Sequence, residues 1–378
     1  MKKVLTVFGT RPEAIKMAPV IKELEMNHDF FISKVCVTGQ HKEMLYQVLD
    51  LFNISPDYDL RIMKSGQGLS QITSNILTKL DKIIDKFRPD ILLVHGDTTS
   101  ALSASLSAFY HKVKIAHVEA GLRSGSLYSP WPEEGNRAII DRICDLHFAP
   151  TELNLQNLLN EGIDKNKIFV TGNTVIDSLK YSLKKIESDS VLKDQIQNSI
   201  SNFGYQLKDR NMVLITCHRR ENFGQGISNV VTAVKKLSLI YPNIDFVFPV
   251  HLNPNIQSIV KEKISNISNV FLLPTLDYFE FIFLMEKSQF ILTDSGGIQE
   301  EAFSLQKNVL LMRDSTERPE AISQGTVKLI GSEVDSIVNN SRLLIDQDLG
   351  NLNHRESDNQ YGAGDAALKI CEILKKID

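Results

Sequence analysis

Short apolar runs alternate with amphipathic stretches along most of the chain, and that alternation constrains the fold more than any other feature. Runs at 3–8, 33–38, 90–96 and 114–119 read as buried strands, and residues 12–27, 41–52, 69–87 and 98–111 carry helical spacing between them. Further apolar runs follow at 212–218, 244–251, 269–274, 289–294 and 308–312. Strands separated by helices pair in parallel, since each crossover helix returns the chain to the same end of the sheet. A chain of 378 residues exceeds what one core usually holds. The expectation is α/β: two Rossmann-like doubly wound domains, 1–172 and 173–362, facing a cleft. A closing helix over about 363–378 is expected to pack back on the first domain, and the polar segment 182–211 to form solvated helix.

Composition excludes several classes. A net charge of −4 leaves no electrostatic footprint for nucleic acid or an anionic membrane. The apolar run after Met1, Lys2 and Lys3 stops at Gly9, too short for a secretory signal. No stretch approaches the roughly eighteen apolar residues of a membrane span. The four cysteines, Cys36, Cys144, Cys217 and Cys371, are scattered without a C-x-x-C pair. They read as buried free thiols in a cytoplasmic protein, with no metal site.

In open parallel sheets ligands collect beyond the carboxyl ends of strands, so the chemistry is sought just after each apolar run. The first ends in GTRPEAIKMAP (9–19), where Pro12 suits a first helical turn and the new helix offers N–H groups to an anion. Arg11 and Lys16 flank that terminus, Lys16 serving either phosphate contact or plain helix solvation. In VHGDTTS (94–100), Asp97 stands at a strand tip, as a helix cap or as an acid–base group. AHVEAG places Glu119 at the next tip, and Glu133 follows on a loop broken by Gly121, Gly125, Pro130 and Pro132. Crowded carboxylates shift one another's protonation and divide acid and base duties.

In the second half, ITCHRREN (215–222) brings His218, Arg219 and Arg220 to a strand end. TDSGGIQEEA (293–302) joins strand to helix through Ser295, Gly296 and Gly297, a turn open to a pyrophosphate, with Glu301 set to accept ribose hydroxyls. Arg318 lies in DSTERPEA (314–321). The near dinucleotide match GAGDAA (362–367) follows no strand and is rejected, and no Walker A loop occurs. No cofactor is therefore expected, and an enzyme acting on a nucleotide-linked substrate fits the inventory.

These motifs, with VTGQHKEML, YSPWPEEGNR, VTGNTVID and PVHLNP in order between residues 3 and 365, resemble the non-hydrolysing UDP-N-acetylglucosamine 2-epimerases. The resemblance implies a glycosyltransferase-B type fold, a homodimer, and reversible conversion of UDP-GlcNAc to UDP-ManNAc. UDP is eliminated to leave 2-acetamidoglucal, then adds back while a proton arrives at the other face of C2. By resemblance, Asp97, Glu119 and Glu133 are acid–base carboxylates and His218 a catalytic histidine near the leaving phosphate. Arg11, Lys16, Phe281, Ser295, Gly296, Gly297, Glu301 and Arg318 contact substrate, Phe281 beside the uracil. Gln40, His41, Glu134, Arg219 and His251 resemble a second UDP-GlcNAc site, making that nucleotide sugar an allosteric activator. The product would feed capsule or another envelope polysaccharide.

The chain departs from the family pattern at Cys217, where glycine is usual, and at Phe303, Gln306 and Asn308, where Pro, Gly and Pro are common. Leu276 replaces a polar uracil-side residue in some members. Three competing readings remain: a hydrolysing epimerase, whose first loop usually reads Gly-Thr-Arg-Ala-Glu, a UDP-sugar glycosyltransferase, and an inactive sugar-nucleotide sensor.

Overall fold

In the computed structural model, the residues described are 1–40, 42–64, 66–217, 225–250, 254–314, 316, 322, 325–346 and 359–377. The chain divides into two compact units, Met1–Lys180 with Gln360–Asp378, and Tyr181–Asn359.

The first unit holds strands β1 (Lys2–Phe8), β2 (Phe31–Val37), β3 (Tyr58–Asp59), β4 (Ile91–His95), β5 (Lys114–Val118), β6 (Leu146–Ala149) and β7 (Ile168–Val170). Their order is β3-β2-β1-β4-β5-β6-β7, with every pair parallel. The second holds β8 (Met212–Thr216), β9 (Asp245–Pro249), β10 (Val270–Leu273), β11 (Phe290–Thr293), β12 (Asn308–Leu311) and β13 (Val327–Leu329), in the order β10-β9-β8-β11-β12-β13, again all parallel. Both are Rossmann-like. In each the chain winds outward over three strands, then restarts on the other side of the first. The restarts fall between β1 and β4 and between β8 and β11, the points in open parallel sheets where ligands bind beyond the strands' carboxyl ends.

The helices up to residue 304 are α1 (Arg11–Met26), α2 (Lys42–Leu51), α3 (Leu69–Phe87), α4 (Thr99–Tyr110), α5 (Glu133–Ile143), α6 (Glu152–Asn160), α7 (Thr174–Ser188), α8 (Ser190–Asn202), α9 (Gln225–Ile240), α10 (Pro254–Ile264), α11 (Tyr278–Lys287) and α12 (Ile298–Ser304). Among the described residues, Val334–Asp346 and Ala366–Lys376 form helices further along the chain. All five residues of β4 are buried, as a strand covered by helices on both faces requires. Ile72, Ile76, Leu80 and Ile84, spaced by four on α3, pack with Leu92 and Val94 and with Ala101, Ala104 and Ala108 of α4. In the second unit Val230, Val234 and Leu237 of α9 close over Val213, Ile215, Phe246 and Phe248.

All nine expected strands form. The four unexpected ones, β3, β6, β7 and β13, have two to four residues each, too few for a periodic signal. Residues 182–211 are not uniformly solvated helix: α8 buries Ile196 and Ile200, and no helix covers 205–211. The last helix belongs to the first unit, where Lys2 Nζ donates to the carbonyls of Leu374 and Lys375 at 3.0 Å each. All four cysteines are buried and unpaired. Among the described residues, no helix is long and apolar enough to cross a membrane.

Candidate active site

The turn after β1 is built around Glu13, a residue the sequence motifs left without a role. Thr10 caps α1 by accepting from the Glu13 amide, and the Glu13 carboxylate accepts from the Thr10 amide at 2.8 Å and the Gly9 amide at 3.1 Å. Its other oxygen takes the Thr98 hydroxyl at 2.8 Å, which joins the loops after β1 and β4. Burial pushes the Glu13 carboxyl up, against these hydrogen bonds. A Cβ on Gly9 would lie 1.9 Å from Thr38 Oγ1, so only glycine fits there. Arg11, next in the turn, is half-buried.

Two alternatives left open by sequence now close. Thr98, not Asp97, caps α4, its hydroxyl accepting from the Ala101 amide at 3.0 Å. Asp97 instead forms an ion pair with Arg137, and its carbonyl accepts from Asn136 Nδ2 at 2.7 Å. Lys16 is not a solvated helix lysine either: it is 8% exposed and forms an ion pair with Glu119.

Glu119 follows β5 directly in a left-handed conformation, φ 68°, and is itself 8% exposed. Asn173 Nδ2 donates to its Oε2 at 3.4 Å, and His95 Nε2 lies 3.5 Å from the same oxygen. Neither ring nitrogen of buried His95 has a hydrogen-bond partner among the described residues. Asp97 and Glu119 thus follow the ends of neighbouring strands, β4 and β5, whose last residues pair His95 with Val118.

Glu133 and Glu134 are not on a loop. They form the first turn of α5, where acidic residues suit the helix dipole, and the glycines and prolines around them obscured this in the sequence. Glu133 is half-buried, whereas Glu134 is 3% exposed. Glu134 accepts from the Ser124 and Gly125 amides at 2.9 and 3.3 Å and pairs with Arg137 at 2.7 Å. Arg137 therefore bridges Asp97 and Glu134. Gln40 is half-buried and accepts from Ser100 Oγ at 2.9 Å.

In the second unit, the Ser295 amide donates to Thr293 Oγ1 at 2.9 Å, and Gly296 and Gly297 lead into α12. Gly297 is helical, φ −66° and ψ −36°, and a Cβ there would meet nothing within 4 Å. Its conformation does not demand glycine, while its open surroundings suit a close ligand. Glu301 is buried and accepts from Tyr278 Oη at 2.7 Å. Phe281 sits half-buried on α11. His218, Arg318, His41, Arg219 and His251 lie outside the described residues.

Of the departures, Cys217 donates to Asp294 Oδ2 at 3.3 Å, and burial pushes its thiol up. Leu276 is buried. Gln306 stands at φ 56°, which explains why glycine is usual there; a non-glycine residue costs about 1 kcal/mol in that region. Among the described residues, Asp81, Asp85 and His111 bring possible metal-ligand atoms within 4.8 Å of one another. The ion pairs of His111 with Asp81 at 3.1 Å and Asp85 at 3.5 Å account for that cluster.

His95, His117, Arg137, Asp141 and Asn173 carried no role in the sequence reading. A histidine inside an otherwise apolar strand was the available signal for the first two, since a buried polar residue needs a reason to be there.

Two doubly wound units, one with a carboxylate–cation cluster beyond its switch point and one with a Gly-Gly turn at its own, define an α/β enzyme of the nucleotide-handling kind. The family model described as UDP-N-acetylglucosamine 2-epimerase matches residues 22–375. The chain belongs to that family. It is 51% identical to the UDP-N-acetylglucosamine 2-epimerase of Campylobacter jejuni, covering 100% of this chain and 98% of the relative. To that of Escherichia coli K12 it is 50% identical, covering 99% and 98%. The crystal structure of UDP-GlcNAc 2-epimerase from Neisseria meningitidis bound to UDP-GlcNAc superposes with a TM-score of 0.92 at 50% identity, covering 99% of this chain and 100% of that one.

Proposed function

We propose that the enzyme interconverts UDP-GlcNAc and UDP-ManNAc by eliminating UDP across C1–C2 and adding it back. The observation that carries this reading is the Lys16–Glu119 pair at the end of β5 with Asp97 on the adjoining strand end. C2 of the sugar lies next to no carbonyl, so its proton is weakly acidic. The pair released with this proton becomes the C1–C2 double bond as the C1–O bond breaks and UDP leaves with that bond's electrons. Epimerisation needs a base on one face of C2 and an acid on the other, which suits a set of several carboxylates held by different partners. The ion pair with Lys16 fixes the place of the Glu119 carboxylate beside the strand end. In the second unit the turn at Ser295–Gly297 grips the diphosphate, Glu301 the ribose and Phe281 the uracil. Activation by a second UDP-GlcNAc, a homodimer and a cytoplasmic setting belong to the same reading.

The test is incubation of the enzyme with UDP-GlcNAc in deuterated water. UDP-ManNAc carrying deuterium at C2 is expected; free ManNAc with UDP would mean hydrolysis, and unlabelled product would end the elimination route. Run from UDP-ManNAc, a rate indifferent to added UDP-GlcNAc would remove the activator. A mass of one 42.6 kDa chain by light scattering would remove the dimer.

Gly297 offers a separate check of the diphosphate grip. Because alanine fits its helical conformation, Gly297→Ala leaves the melting temperature equal or slightly raised. UDP affinity by calorimetry should fall about tenfold, the size of one lost charge-assisted hydrogen bond. Unchanged affinity would move the diphosphate away from this turn.

A further inference from the structure

His117, on β5, has both ring nitrogens on acceptors: Nδ1 lies 2.6 Å from Asp141 Oδ1 and Nε2 lies 2.7 Å from the Gly96 carbonyl. One partner is a carboxylate and the other a backbone carbonyl, so the ring spans two acceptors. It is fully buried. Its carboxylate partner Asp141 is 1% exposed, so the pair is closed off from water. The other Asp141 oxygen accepts from the Gly121 amide at 3.2 Å and pairs with Arg123 Nη2 at 2.8 Å.

The two backbone points gripped in this way flank the acid–base residues. Gly96 immediately precedes Asp97, and Gly121 stands two residues after Glu119. Both turns are left-handed: φ is 62° at Gly96, 68° at Glu119 and 83° at Gly121. Each turn has ties of its own, Asn136 to the Asp97 carbonyl and Asn154 and Asn157 to the Gly121 carbonyl, but none of these runs from one turn to the other. The Gly96 amide bonds to the Val118 carbonyl at 2.9 Å, which leaves its carbonyl to His117. One ion pair thereby ties the turn that carries Asp97 to the turn that carries Glu119.

We infer that His117 and Asp141 are positioning residues which hold the Asp97 and Glu119 turns in one register, acting through the Gly96 carbonyl and the Gly121 amide. The inference rests on the epimerase reading, because it takes those carboxylates as the acid–base set.

Two variants of the ring separate its grips. Asparagine keeps a polar atom near Nδ1 and withdraws the one at Nε2, so Asp141 stays held while Gly96 is released. Glutamine does the reverse. His117→Asn should bind UDP within about threefold of the parent yet lose about 100-fold in kcat, the size expected when catalytic groups shift by about an ångström. His117→Gln should keep kcat within about tenfold, because Gly96 remains tethered. A His117→Asn enzyme with parental kcat overturns the inference. So does a pair of variants whose kcat falls equally and in step with melting temperature, the mark of a purely structural ring. Should the asparagine variant not fold, the glutamine variant decides alone: folded but 100-fold slower, it overturns the inference. A parent enzyme that leaves C2 unlabelled ends the functional reading itself and this inference with it, a result distinct from any difference among variants.

Discussion

Glu119→Gln is expected to lower kcat about 1000-fold, within the range for loss of a positioned general base, while UDP binding persists. Glutamine matches glutamate in shape, so its amide oxygen still accepts from Lys16 and Asn173, the partners that hold the carboxylate now. What the amide cannot do is take a proton from C2. Nucleotide affinity is assigned to Ser295, Gly297 and Glu301 in the other unit, so it should not follow. Deuterium wash-in at C2, followed without waiting for net epimerisation, tests the proton step directly. A variant that exchanges within tenfold of the parent would remove Glu119 from the acid–base set. Loss of UDP binding alongside turnover would show instead that the substitution disturbs more than a proton.

The fold was legible because parallel strands covered on both faces must be nearly all apolar, and such runs stand out between amphipathic helices. β4 is the clear instance, with Ile91 to Val94 apolar and every residue buried. The short strands were not legible: the pairing of Cys36 with Tyr58 and Val37 with Asp59 that makes β3 is set by the neighbouring strand, not by its own sequence. The α5 start was hidden for a different reason. Pro130, Pro132 and Gly135 are local signals for a loop, while the tie from Glu134 back to the Ser124 amide, ten residues away, is not local. The same division runs through the site. Asp97 and Glu119 were found because strand ends are where chemistry collects. Glu13, His117 and Asp141 were missed because each works through a partner far off in sequence: Glu13 through Thr98, and His117 through Gly96 and Asp141.

Removal of Asp141 should be the costliest change to stability. In Asp141→Ala, His117 and Arg123 lose their shared anion, and breaking a buried ionic cluster by deleting one member costs about 3–5 kcal/mol. Arg123 keeps a second carboxylate, Glu161, at 2.6 Å, so the loss falls chiefly on His117. The gap between parent and variant should also depend on pH, and its sign is fixed by Asp141. Burial works to raise this carboxyl, but His117 and Arg123, with His147 adding to them, overrule it and hold it at about 2, below the ordinary 3.8. A depressed carboxyl contributes stability that is fully present above about pH 4 and is lost as pH falls through about 2. Its full contribution is about 2 kcal/mol, of which about 1 kcal/mol is gone by pH 3. Hydrogen-exchange protection of β4 and β5 reads the first unit without the second. Read between pH 5 and pH 3, below the ordinary imidazole range, the gap should narrow by about 1 kcal/mol. A gap that stays constant over that range would mean that Asp141 is not held low in the folded protein.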